Sequence, residues 1–281
     1  MKARFGFTVP LCLLFAGLTF ISAQRTHAQD QSSNITPPPN VLEVVVEYVK
    51  PGLVASQHNQ TESIFVQAMR NAKWPTHYLG MNALAGQSRA VFFVPYDSFA
   101  DWEKDNLATA KDPTLSAALD SASIADGKLL SMVQTSVFHF RPDLSLRPGA
   151  DIGHTRYFDV SVFHIHPGHM ADFEQLIKLY MAAYQNNPNV HWDAFEQMYG
   201  VDSGDTILVV TPRKSMDEID VQMKDDSQLD STLTPDQRKQ MRDLTAASIL
   251  SSWSTLDAIN PVMSYPTDTW AQEDPAFWNQ H

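Results

Sequence analysis

Cysteine is almost missing from this chain: Cys12 is the only one in 281 residues. A disulfide scaffold and a thiolate metal cluster are both excluded. Positive charge is also scarce, with 20 Lys and Arg against 32 Asp and Glu and a formal net charge of −12. Nucleic acid and anionic membrane surfaces need a basic face to bind phosphate, so neither is an expected partner. No glycine-rich phosphate loop occurs, and no His-Glu-x-x-His string. The nearest approach to a hydrolase elbow is Gly86-Gln87-Ser88-Arg89-Ala90, which lacks the second glycine and reads as a hairpin. What is present is ordinary globular material, 43% hydrophobic and 19% charged, long enough for two domains.

The beginning of the chain reads as an export signal. Lys2 and Arg4 precede an apolar run from Phe5 to Ala23, and small residues follow up to Ala28. Pro10 and the short length argue against a bilayer span, and the residues before Cys12 do not form a lipobox. Removal of residues 1–28 would take away Lys2, Arg4 and Arg25 and lower the net charge from −12 to −15. The mature chain would then have no cysteine. A periplasmic or extracellular location is expected, with no membrane insertion after cleavage. Residues 29–40, with prolines at 37, 38 and 39, read as a flexible leader.

The remainder repeats itself. Lys50-Pro51-Gly52 is answered by His166-Pro167-Gly168, Trp74 by Trp192, and Met81 by Met198. Val94-Pro95 is answered by Thr211-Pro212, Ser98 by Ser215, and Leu130-Ser131 by Leu250-Ser251. Arg141-Pro142 with Leu144-Ser145 matches Asn260-Pro261 with Met263-Ser264. The matches keep their order with little drift, which marks a tandem duplication with modules at 41–150 and 151–266.

Each copy follows one plan. A β-rich run, 41–50 or 157–166, ends at a Pro-Gly turn. A helix follows, with apolar stripes at Ile64, Phe65, Ala68, Met69 and Ala72, or at Phe173, Leu176, Ile177, Tyr180, Met181 and Tyr184. Two strands come next, around 77–84 and 88–95 or 194–201 and 206–212. Ser98 and Ser215 suit helix N-caps, and Asp112-Pro113 and Thr234-Pro235 start a further helix. A last strand covers 129–140 or 249–259. The order β-α-β-β-α-β is the ferredoxin-like arrangement of an α+β protein.

This layout, with Ser98-Phe99-Ala100-Asp101-Trp102-Glu103 opening the second helix and Arg141-Pro142-Asp143-Leu144-Ser145 after the last strand, resembles the dimeric α/β-barrel superfamily. That group includes antibiotic-biosynthesis-type monooxygenases and NIPSNAP-like proteins. The resemblance covers about residues 40–270 and transfers no catalytic residue. It implies that the two modules pair their sheets face to face into a pseudo-dimeric barrel. Leu42, Val44 and Val46 then read as the face covered by helices, while Glu43 and Glu47, with Asp159 and Phe163 in the second copy, read as facing the inter-sheet space.

Two constellations could carry chemistry. His164 and His166 share a strand face, and His169 beyond the turn could join them as a third metal ligand, with Asp172 beside it. The first copy holds Tyr48 and Lys50 at the paired positions, so the fold does not require the pair, and these histidines read first as a polar strand end meeting solvent. Glu43, Glu47, His77, His139 and Asp159, with Phe163, could instead form a ligand pocket whose carboxylates work as acid and base. The alternative there is ordinary pairing with Arg141, Arg89 or Arg156. His77 or His139 could also ligate haem if an apolar cavity adjoined it. No cofactor is required by the pattern; a divalent metal and haem stay open.

Residues 267–281 hold Trp270, Phe277 and Trp278 and are too aromatic for a free tail, so they are expected to dock on the body. Three readings remain: a binding protein for a small apolar or aromatic molecule, a cofactor-free monooxygenase-like enzyme, and a metal or haem protein. Fold alone does not choose among them, and association beyond the intrachain pair is undetermined.

Overall fold

A computed structural model describes residues 34–200 and 204–280. The export-type segment at 1–28, with Cys12, and the first part of the leader lie outside the described residues.

The first module runs β1 (Val41–Val49), α1 (Ala55–Ala72), β2 (Leu79–Ala83), β3 (Arg89–Tyr96), α2 (Phe99–Lys111), α3 (Pro113–Asp126) and β4 (Leu130–Phe140). The second repeats it as β5 (Tyr157–Ile165), α4 (Met170–Ala183), β6 (Asp193–Tyr199), β7 (Thr206–Arg213), α5 (Asp217–Thr232), α6 (Pro235–Ser248) and β8 (Ile249–Ile259). Short helices α7 (Asp268–Glu273) and α8 (Pro275–Trp278) follow. Helix starts obey local chemistry. Ser98 accepts from the Asp101 N–H, Asp112 accepts from Thr114 and Leu115 ahead of Pro113, and Thr234 forms a capping box with Gln237. Ser215 does not cap: α5 starts one residue later, behind Met216, and Glu218 instead accepts from the Lys214 N–H.

The strands close into one barrel in the order β1-β3-β2-β8-β5-β7-β6-β4. Within it each module keeps the order 4-1-3-2 of a ferredoxin-like sheet. The module sheets also join edge to edge, β2 to β8 through Met81↔Ile259 and β4 to β6 through Phe138↔Gln197. Closure leaves no free sheet edge.

An eight-stranded barrel has a lumen just wide enough to be filled by side chains, so the lumen is dry and selects apolar residues. The filling comes from Leu42 and Val44 of β1, Phe93 of β3, Phe158, Val160 and Val162 of β5, and Leu208 and Val210 of β7. The face assignment made from sequence is therefore inverted. The wholly apolar face of β1 points inward, and Glu43 and Glu47 point out to the helices. In the second copy Asp159 and Phe163 lie on the same outward face, with Phe163 packed on Phe173 of α4 at 5.6 Å between ring centroids.

Helix α1 departs from its expected stripe. Ile64 is exposed, and the buried positions are His58, Glu62, Val66 and Ala68. The inward face continues back through two charged residues because both meet polar partners on β1 and α3.

The C-terminal residues lie against the barrel. Trp278 is fully buried in the lumen cluster, and its indole N–H donates to the Gly153 carbonyl at 3.0 Å. A side chain on Gly153 would run into Glu273 of α7, with a Cβ only 2.7 Å from the Glu273 Cβ, so glycine permits the approach. Trp278→Ala should cost about 3–5 kcal/mol in chemical denaturation, the usual range for a large buried aromatic. A fragment of residues 29–150 exposes the edges of β2 and β4 and the apolar face of Leu42 and Val44. It should sediment as a dimer or larger, and a stable monomer would contradict the paired-sheet architecture.

Candidate functional site

One end of the barrel is incompletely filled. A cavity of about 270 Å³ lies there, walled by Leu42, Leu79, Phe93, Phe158, Phe195 and Val210 from the strands. Thr36, Pro37–Pro39 and Trp270 of α7 also line it. These pieces are tied down: Thr36 pairs with Ala150 through two backbone hydrogen bonds, and the Trp270 indole donates to the Thr36 hydroxyl at 3.3 Å. The wall is mostly apolar, with Thr36, Asp97 and Asp193 as its polar side chains. A larger groove of about 670 Å³ runs among α4, α5 and α6, but its carboxylate, Asp226, is already taken by the Tyr184 hydroxyl.

The polar group that distinguishes the cavity is Asp193, the first residue of β6, which shares the inward face with Phe195. Asp193 is 8% exposed, and its Oδ1 accepts the Gly149 N–H at 2.9 Å. Burial drives its pKa up to about 6, with the Gly149 bond opposing the rise. A second acid on the rim, Asp97, is exposed. Asp193 thus takes or gives a proton near neutral pH, beside an apolar space.

The residues proposed from sequence as a pocket are not gathered there. Glu43 lies outside the barrel near Tyr96 at the end of β3 and Trp102 and Asp105 of α2, where burial raises its pKa. Glu47 sits 3.1 Å from His58 of α1. His139 is outward on β4, 3.7 Å from Glu196. Asp159 accepts from Arg213 at 3.3 Å. His77 stacks on Tyr265 at 4.4 Å between centroids and borders a neighbouring groove. Nor do the arginines considered as cross-sheet partners reach Glu43 or Glu47. Arg141 binds Asp143, Glu174 and Glu196, Arg89 lies by Thr255 and Asp257, and Arg156 pairs with Asp274.

The metal trio is dispersed too. His164 contacts the Thr206 hydroxyl at 3.2 Å, His169 pairs with Asp172 at 2.7 Å, and the His166 ring lies 6.2 Å from that of His169. Among the described residues, the sets of three or more side chains able to meet on one ion are Glu47, His58, Glu62 and Asp126, and Asp151, His154 and Glu273. Haem does not fit the barrel mouth, because among the described residues no histidine lines that cavity to supply an imidazole ligand.

The first of those sets is a buried polar knot under the helices. His58 Nε2 is 3.1 Å from Glu47, 3.3 Å from Asp126 and 3.8 Å from Glu62. Burial opposes the charge on His58, but Asp126 and Glu47 outweigh it and hold the imidazole's pKa up at about 10. Burial, then Glu47 and Asp126, push Glu62 up as well. Sequence reading missed both Asp193 and this knot. The available signals were the i,i+4 pair His58 and Glu62 on one helix face, and the acid after Trp192 where the first copy has Pro75 after Trp74.

No family model matches the chain, and no curated protein does. Solved structures do. An anthrone oxidase-like protein aligns with a TM-score of 0.53 at 12% identity, over 83% of this chain and 97% of its own. A candidate monooxygenase from Fusobacterium nucleatum subsp. nucleatum aligns with a TM-score of 0.51 at 10% identity, over 78% and 91%. A candidate chlorite dismutase aligns with a TM-score of 0.47 at 10% identity, over 80% and 96%. The chain has the dimeric α/β-barrel fold. At these identities the likeness is one of architecture. In this dimeric α/β barrel both halves come from one polypeptide.

Asp193 makes a prediction about stability. Its folded pKa of about 6 is above the ordinary 3.8, so the fold favours the protonated form. The corresponding stability is complete below about pH 4 and is lost as pH rises through 6, by up to about 3 kcal/mol. Asp193→Asn should therefore stabilise the protein by about 1–3 kcal/mol at pH 7.5 and hardly at all at pH 4, measured by urea unfolding at both pH values.

Proposed function

We propose that this protein is exported and binds one small apolar or aromatic molecule in the barrel mouth, with Asp193 meeting a hydroxyl or acidic C–H group of that ligand. The observation that carries this reading is the pairing of a 270 Å³ apolar cavity with one buried carboxyl whose pKa lies near 6. Apolar walls with few placed polar groups are the usual composition of a small-molecule site. The volume suits a ligand of one to three fused rings. Export is supported by the basic start and apolar run of residues 2–23.

A second reading is favoured by the same carboxyl. Positioned beside an aromatic substrate, the Asp193 carboxylate would remove a proton from an activated C–H or phenolic O–H, the opening step of a cofactor-free monooxygenase-like reaction. Two proteins of the same architecture, described as anthrone oxidase-like and as a candidate monooxygenase, support this direction.

1-Naphthol is a suitable probe. Full-length mature protein should bind it saturably, read by quenching of tryptophan fluorescence, and Leu42→Trp, which fills the cavity, should weaken binding at least tenfold. A change of affinity on raising pH through 6 in the wild type but not in Asp193→Asn would place the carboxyl at the ligand. Absence of saturable binding up to millimolar probe would refute the pocket. Anthrone consumption in air, faster with wild type than with Asp193→Asn, would establish the enzymatic reading; equal rates would leave binding alone.

A further inference from the structure

We propose that Glu47, His58, Glu62 and Asp126 form a binding site for one divalent transition-metal ion, zinc or manganese, beneath the helices of the first module. This site is independent of the barrel mouth. It lies on the outward face of β1, with His58 and Glu62 one turn apart on α1 and Asp126 at the end of α3.

The donor geometry fits an ion. Donors held about 2.0–2.2 Å from a tetrahedral metal are about 3.3–3.6 Å from one another. Here Nε2 of His58 is 3.1, 3.3 and 3.8 Å from the Glu47, Asp126 and Glu62 oxygens, and the four donor atoms all lie within 4.8 Å of one another. Small side-chain shifts would therefore complete the coordination. One imidazole with three carboxylates suits zinc or manganese better than a soft metal. The Thr61 hydroxyl donates to Asp126 Oδ1 at 2.5 Å and orients that carboxylate, the kind of support that metal ligands receive from their neighbours.

Two further observations point to a ligand. Glu62 Oε1 is fully buried and has no hydrogen-bond partner, although Glu62 is only 4% exposed. That oxygen lies 3.8 Å from His58 Nε2, beyond hydrogen-bond reach, and an ion taking the place of the imidazole proton would give it the partner it lacks among the described residues. The second module supplies the control. Glu47 pairs across to Ala90 of β3, and Phe163 makes the equivalent pairing to Ile207 of β7, so the two positions correspond. In the second module that chamber is filled by Phe163, Phe173, Ile165 and Ile207. The fold is thus satisfied by an apolar filling, and the first module has instead gathered four ligating groups. Of the four, Glu47 has the most exposed side chain, at 15%, and marks the way in.

The test uses the full mature chain, incubated with zinc chloride or manganese chloride, desalted and measured by plasma mass spectrometry. About one equivalent is expected in the wild type and in His154→Ala, which removes the other histidine–acid group. His58→Ala and Glu62→Gln should reduce it at least tenfold, and the added ion should raise the melting temperature of the wild type and of His154→Ala but not of these two variants. Should either variant fail to fold, anomalous diffraction from zinc-soaked wild-type crystals decides, with a peak expected among the four side chains. No uptake, uptake unchanged in both folded variants, or a peak elsewhere would each overturn the site and leave the knot as an internal ion cluster only.

Discussion

Closure of the barrel is the constraint on which the rest depends. Each four-stranded sheet on its own has two free edges and one apolar face that needs cover. Joining β2 to β8 and β4 to β6 removes both edges and encloses both faces in the same step. Because the resulting lumen is dry, a charged side chain there would lose its hydration, and apolar residues from both halves occupy it. The carboxylates of β1 are correspondingly on the other face, where helix residues and the gaps between helices give them partners.

A closed barrel still has ends, and there the molecule becomes specific. At one end the chain uses segments outside the repeated plan. The proline-rich stretch at 36–39, the segment around Ala150–Gly153 and the aromatic helices after 267 converge on the mouth, leaving a bounded space. The burial that these pieces impose also shifts Asp193, since a carboxylate with little water and one N–H donor is poorly stabilised. Enclosure and acid–base character thus have one cause.

Duplication makes the differences between halves informative. Where the same pairing position carries Glu47 in one half and Phe163 in the other, the backbone does not dictate the residue. Four ionisable groups in the first chamber, against an apolar cluster in the second, represent two solutions to one packing problem. The polar one costs desolvation, which only close mutual pairing or a bound ion offsets.

Much of the architecture was legible in residue order, for local reasons. Alternation and turn residues located the strands to within a few positions, and caps such as Asp112 and Thr234 marked helix starts, because those signals act over a few bonds. The repeat offsets disclosed the duplication, and the resemblance to the dimeric α/β-barrel superfamily implied the pseudo-dimeric pairing. Which face of a strand looks inward was not legible: alternation divides Leu42 from Glu43 but does not say which side is dry until the sheets close. The same limit hid the sites. Glu47 and Asp126 are brought to 3.1 and 3.3 Å from His58 across intervals of 11 and 68 residues, and Asp193 joins Phe158 and Trp270 only at the barrel mouth. Sequence by itself determined the elements, their order and their doubling, which depend on short-range sterics and periodicity. Tertiary structure alone decided which charges are buried and beside what, because burial belongs to the closed assembly of strands and not to any segment of it.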